Sequence, residues 1–152
     1  LAKQCLAICQ AYHTPLWLNS FWEVAGALQL PVQLPMPILR TLTESQRAQL
    51  PAIGASVHSP EEAVLAEKLG ASWLIAGHIF ATACKPDLPP RGLDFLRNVY
   101  SSVSIPVYAI GGITPERLPA ITQAGAAGYC VMSQMMQCPD VPAEFQNWRK
   151  RI

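Results

Sequence analysis

One short stretch restricts the fold more than any other. Ile105-Pro106-Val107-Tyr108-Ala109-Ile110 is a β-branched strand that ends in Gly111-Gly112 and runs, through Ile113-Thr114-Pro115-Glu116, straight into a helix start. Paired glycines take up positive φ and let the backbone approach a ligand closely, and the free N–H groups of a helix start favour negative charge, so the junction reads as an anion site. A second strand of this kind follows in Gly128-Tyr129-Cys130-Val131-Met132-Ser133. Two adjacent strand ends can aim several N–H groups at one point, and in a parallel barrel a phosphate commonly sits between the loops after the last two strands. Gly-Gly after a strand also serves as a plain tight turn; the pairing with a second strand ending in small polar residues is what favours a phosphorylated ligand. On this reading a Cβ at Gly112 would occupy the ligand's space.

The rest of the chain alternates short apolar strands with amphipathic helices. Residues 1–12 place Leu1, Cys5, Ile8, Cys9 and Tyr12 on one helical stripe, Pro15 to Asn19 is strand-like, and 20–29 reads as a helix. Val32-Gln33-Leu34 and Ala52 to Ser56 are the next strands, with a short helix over Thr43 to Ala48 between them, Thr43 being its N-cap. Ser59-Pro60-Glu61-Glu62 is a clear helix start, with a capping Ser, Pro in the first turn and acid at the positive end of the dipole. Ser72 to Gly77 is a buried strand, and Gly92 to Ser102 is a helix with Leu93, Leu96, Val99 and Tyr100 inward. A helix over Pro115 to Ala124, stopped by Gly125, leads to the strand ending at Ser133, and a last helix covers about 143–150. No hairpin pattern occurs, so parallel βα units are the consistent reading. About six units are legible where a complete barrel has eight. The expected fold is an α/β chain, a single TIM-barrel domain over 1–152, a (β/α)8 barrel lacking its first strand-helix-strand portion, which lies upstream or was lost. An open, doubly wound six-strand sheet is the alternative.

Composition limits the partners. With 51% hydrophobic and 14% charged residues and a formal net charge of +1, the chain of 152 residues can bury a core and has no electrostatic footprint for nucleic acid or an acidic membrane surface. No apolar run approaches the roughly 18 residues of a transmembrane helix, and Leu1-Ala2-Lys3-Gln4-Cys5 lacks signal-peptide character, so a cytoplasmic protein is expected. Five cysteines without a Cys-x-x-Cys pair suit reduced core thiols rather than disulfides or zinc. Cys84, beside Lys85, is either reactive or a spectator, the second being favoured.

The chemistry concentrates in the loop from Gly77-His78-Ile79-Phe80 through Cys84-Lys85 to Arg91-Gly92. It follows a buried strand, and strand C-termini face the active site in such barrels. His78 can exchange a proton near neutral pH, Lys85 can meet a phosphate or carboxylate, and Arg91 reads as a solvated cation. His58 ends another strand on the same face and either touches substrate or caps and packs its loop. His13 lies in a loop of the opposite face and reads as structural.

Ser56-Val57-His58-Ser59-Pro60-Glu61-Glu62-Ala63, Gly77-His78-Ile79-Phe80, Lys85, Leu88-Pro89-Pro90-Arg91-Gly92, Ile105-Pro106-Val107 and Ala109-Ile110-Gly111-Gly112-Ile113 together resemble the thiamine phosphate synthase and TenI superfamily. The resemblance implies a barrel that handles the thiazole half of thiamine. Synthases join a pyrimidine pyrophosphate to thiazole phosphate with Mg; TenI-like members aromatise a carboxythiazole phosphate without metal. Synthases carry Asn-Asp where this chain has Asn19-Ser20, and Gly-Gln-x-Asp where it has Leu34-Pro35-Met36-Pro37, so both Mg carboxylates are missing. Their Gly-Pro-x-Phe and Thr-x-Thr-Lys are here Gly77-His78-Ile79-Phe80 and Thr82-Ala83-Cys84-Lys85, and Gly-His-x-Phe is the TenI form. The resemblance therefore implies a thiazole tautomerase with His78 as general acid/base. It places phosphate on Gly111, Gly112 and Ser133 with Lys85 nearby, and further substrate contacts at Ser56, Asn19 and Met132. No metal and no cofactor is expected, Mg entering only if the chain is a synthase. The expected partner is a small-molecule thiazole phosphate, not nucleic acid or membrane, with homo-oligomerisation left open. A phosphate-binding regulatory homologue without catalysis is the reading from another class.

Overall fold

The computed structural model describes residues 1–150. Six strands, β1 (Leu18–Asn19), β2 (Val32–Pro35), β3 (Ile53–Val57), β4 (Trp73–Gly77), β5 (Val107–Ile110) and β6 (Gly128–Cys130), pair in parallel in the order β1-β2-β3-β4-β5-β6. A doubly wound sheet reverses its strand order part-way along, whereas here every strand lies beside its sequence neighbour. That is barrel winding, and it removes the open doubly wound alternative. The sheet is a partial TIM barrel of six strands rather than eight, with β1 and β6 as its edges among the described residues.

The helices are α1 (Ala2–Ala11), α2 (Trp22–Leu28), α3 (Met36–Thr41), α4 (Glu44–Ala48), α5 (Pro60–Lys68), α6 (Gly92–Ser102), α7 (Leu118–Gln123), α8 (Ser133–Gln137) and α9 (Val141–Arg149). The caps are those the residue types dictate. The Thr43 side chain accepts from the Gln46 N–H while Gln46 answers on the Thr43 N–H at 2.8 Å, and Ser59 accepts from Glu62 at 3.2 Å. Side chains alternate across each strand. On the convex face Val32, Leu34, Ile53, Ala55, Val57, Leu74, Ala76, Val107 and Ala109 are buried, in a core that continues into Ala63, Ala66, Leu96 and Val99 of α5 and α6. The opposite alternates face the concave side, where Gln33 and Trp73 are buried and Ile75, Tyr108, Ile110 and Cys130 are only half-buried.

Several expectations change. The strand expected over 15–19 shrinks to two paired residues, because β1 is an edge with one ladder to join. The helical turns of α3 and α8 carry no periodicity long enough to read in sequence. The stretch from Pro115 opens with a 3-10 turn over Pro115–Arg117 before α7, and the last strand stops at Cys130, leaving Ser133 as the first residue of α8. Tyr100 is 50% exposed: Leu96 and Val99 take the inward face of α6, and Tyr100 lies at its margin, against Gly125. The apolar stripe of α1 has no buried residue, so Cys5 and Cys9 are half-buried rather than core thiols. α1 leads into β1, and among the described residues no further βα unit packs over it. No helix among the described residues is long and apolar enough to cross a membrane.

Candidate active site

The C-terminal ends of the strands open on one cavity of about 510 Å³, and Asn19, Ser56, His78, Lys85, Gly111, Gly112, Met132 and Ser133 all line it. The sheet brings them together from β1, β3, β4, β5 and β6 and the segments that follow them. Their surroundings differ. His78, 4% exposed, lies against the Leu88 carbonyl with Nε2 at 3.2 Å. A carbonyl only accepts, so Nε2 carries the proton in the neutral ring and the lone pair is left on Nδ1. Lys85, Cys84 and Asn19 are exposed at the mouth, and Met132 is 58% exposed.

The glycine pair is built into the loop after β4. Gly111 and Gly112 have φ of +96° and +62°, so both need the left-handed freedom of glycine. The Ile110 and Gly111 carbonyls accept from the N–H groups of Ile79 and Phe80 at 2.9 and 3.0 Å, which locks the two loops side by side. A Cβ at Gly112 would lie 2.4 Å from the Ala81 carbonyl oxygen and 2.8 Å from that of Phe80, and one at Gly111 would lie 2.3 Å from the His78 Cβ. The space a side chain at Gly112 would take is thus filled by protein, not reserved for a ligand, which corrects the sequence expectation. The cost of a side chain there is structural first.

Two arginines take places that the sequence did not show. Arg91 is tied down: its Nε donates to the Gly77 carbonyl at 3.1 Å and an NH group to the His58 carbonyl at 2.9 Å, bridging the ends of β4 and β3, with Phe95 beneath at 5.5 Å. Arg117, which the sequence reading passed over, lines the cavity, donates to the Gly112 carbonyl and lies 4.5 Å over the Phe80 ring. Its signal was its place in Thr114-Pro115-Glu116-Arg117 directly after the glycines. His58 sits with its N–H on Glu62 Oε2 at 2.8 Å and Nδ1 3.4 Å from the same oxygen, a capping arrangement at the cavity wall. Cys130 lines the cavity, and burial pushes its thiol up, so it stays protonated. Gln33 was also missed. It is 8% exposed on the concave face of β2, and a polar residue in a short buried strand was its signal.

A family model described as Thiamine monophosphate synthase matches residues 1–135. The chain belongs to the thiamine phosphate synthase and TenI superfamily. It is 38% identical over 143 residues to a thiamine-phosphate synthase of Syntrophomonas wolfei, covering 90% of this chain and 66% of the relative. It is 34% identical to a thiamine-phosphate synthase of Pyrococcus abyssi, over all of this chain and 74% of that one. Among solved structures, a thiamine phosphate pyrophosphorylase from Pyrococcus furiosus superposes with a TM-score of 0.80 at 36% identity, over 95% of this chain and 70% of that chain. The chain thus spans between about two thirds and three quarters of the length of these superfamily members.

Superfamily membership raises the question of Mg. Among the described residues no carboxylate lines the cavity, and no group of three or more His, Cys, Asp or Glu side chains is placed to hold a metal ion. Where the synthase pattern has acids, Ser20 follows Asn19 and Pro37 follows a buried Met36. The residues present do not fit a carboxylate-held Mg centre.

Proposed function

We propose that this chain is an enzyme of thiamine biosynthesis whose cavity takes a thiazole phosphate, and that His78 moves a proton on the thiazole ring, as a tautomerase requires. The observation that carries the reading is His78 itself, buried at the cavity wall with its Nε2 proton engaged by Leu88 and Nδ1 left as the base. In the forward direction Nδ1 takes a proton from a ring carbon and the imidazolium returns one elsewhere on the ring, so atoms balance and aromaticity drives the step. A positioned acid/base of this kind contributes on the order of 10²- to 10⁴-fold. The phosphate lies at Gly111, Gly112 and the first N–H groups of α8 at Ser133, with Arg117 and Lys85 supplying positive charge. Asn19, Ser56 and Met132 contact the rest of the ligand.

The names of the relatives favour a second reading better than this one: two are named thiamine-phosphate synthase and one thiamine phosphate pyrophosphorylase, which points to a transferase that couples a pyrimidine pyrophosphate to the thiazole phosphate. What favours the first is the donor set, since the described cavity wall, which holds no carboxylate, would leave a pyrophosphate leaving group without Mg compensation. Two assays on the same protein separate them. Aromatisation of the carboxythiazole phosphate, followed by ultraviolet absorbance, should fall at least about 100-fold in His78→Asn with ligand binding retained. Full activity in that variant overturns the proton-transfer role. Synthesis of thiamine phosphate that stops with EDTA and resumes with Mg puts the synthase first.

A further inference from the structure

We propose that Trp73 and Gln33 fix the Ser56 oxygen as an acceptor within the protein and so leave the Ser56 proton to the ligand, and that Ser56 thereby favours a ligand bearing an acceptor, the carboxylate of a carboxythiazole phosphate. The inference deepens the proposed function and rests on the cavity taking a thiazole phosphate. Trp73 Nε1 can only donate, and it lies 2.8 Å from Gln33 Oε1. The amide oxygen of Gln33 is therefore turned to Trp73, and its NH₂ group faces the other way. That nitrogen lies 2.9 Å from Ser56 Oγ, so the Ser56 hydroxyl is an acceptor in this contact. The hydroxyl makes no other hydrogen bond among the described residues, and Ser56 lines the cavity. Its own proton is left for the ligand.

The relay is anchored at each point. Strand register sets Gln33 opposite Gly54 and Gly54 opposite Trp73, so the two side chains meet across the middle strand. A Cβ at Gly54 would lie 2.1 Å from Trp73 Nε1 and 2.2 Å from Gln33 Oε1, and glycine at this position is what lets them touch. Trp17 packs on the Trp73 ring with centroids 4.3 Å apart. Gln33 and Trp73 are 8% and 6% exposed, so turning the amide over would set its NH₂ against the indole N–H in a buried site and leave both donors without an acceptor. Ser56 stands on β3, two and three strands from the glycine pair after β5 and the α8 start after β6. Strands are spaced about 4.8 Å apart, so anion and acceptor are read at separate ends of one ligand.

The test compares binding of carboxythiazole phosphate with binding of the same thiazole phosphate lacking the carboxylate, by titration calorimetry, with thermal melting as the folding control. The wild-type protein should prefer the carboxylated ligand by about tenfold or more, the scale of one hydrogen bond to a charged acceptor. Ser56→Ala and Trp73→Phe should lose that preference, and Ser56→Thr should keep it. Where Trp73→Phe does not fold, Ser56→Ala decides. Equal wild-type affinity for the two ligands, or a preference that survives in Ser56→Ala, overturns the relay and leaves the thiazole site standing. Failure of both ligands to bind the wild-type protein overturns the thiazole site and the relay together.

Discussion

The two faces of the sheet use the same strands for opposite ends. On the convex side β2 to β5 present Val, Leu, Ile and Ala, all buried under the helices. On the concave side the alternating positions hold Gln33, Gly54, Ser56, Trp73 and Gly77, with half-buried Ile75 and Ile110, and all of these but Gly54 and Trp73 line the cavity. Burial of apolar area on one face supplies stability at about 25 cal/mol per Å², and this frees the other face to carry polar groups whose hydrogen bonds are only partly satisfied within the protein. Stability and recognition are separated by the two-residue repeat of the strand.

The strongest challenge to that separation is Gly112, on the cavity side. Gly112→Val forces a β-branched residue to φ +62° and drives its Cβ against the Ala81 and Phe80 carbonyls. We expect a loss on the order of 4 kcal/mol or more, read by urea unfolding, from left-handed strain and clash combined. Wild-type stability with phosphate binding abolished would mean that the ligand, and not loop packing, sets the glycine.

Adjacent residues of β4 give the next comparison. Leu74, on the convex face, is fully buried, and Ile75 points into the cavity. Leu74→Ala should cost about 3 kcal/mol in the same measurement and Ile75→Ala about half as much, because Ile75 already meets solvent on one side. Equal costs would dissolve the distinction between the faces.

The smallest effect belongs to Glu67 on the helical side. Its Oε1 accepts from the Ser104 N–H at 2.8 Å and the Ser104 hydroxyl at 2.6 Å, tying α5 to the turn before β5. The Ser104 hydroxyl, first, and its N–H hold the Glu67 carboxyl below the ordinary carboxylate value. A depressed carboxyl stabilises the fold above its unfolded pKa, and the contribution disappears as the pH falls through its folded value. Glu67→Gln should therefore melt slightly below the wild type at neutral pH, and the two curves should converge in acid below the usual carboxylate range. A gap that persists there would assign the effect to packing instead of charge.

Much of this architecture was legible because its causes are local. Ser59-Pro60-Glu61-Glu62 starts a helix wherever it stands, since the cap and the first-turn acid act within four residues. The glycines at 111 and 112 announce positive φ in the same way. The α1 stripe misled for the complementary reason: an apolar period says that a face can be buried, while burial needs a neighbour that an edge of the arc does not provide. Arg91 read as a solvated cation because its acceptors are carbonyls of Gly77 and of His58, which is 33 residues away.

Alternation of strands and helices, the parallel winding and the loops that carry His78 and the glycine pair all follow from the order of residue types along the chain, where capping, periodicity and φ preference are decided within a turn or a strand. The direction in which Ser56 donates, the proton on His78 Nε2 and the carbonyls that crowd Gly112 follow from tertiary structure alone. Each depends on partners that only strand register brings within hydrogen-bonding distance, and register is a relation between segments that no single segment contains.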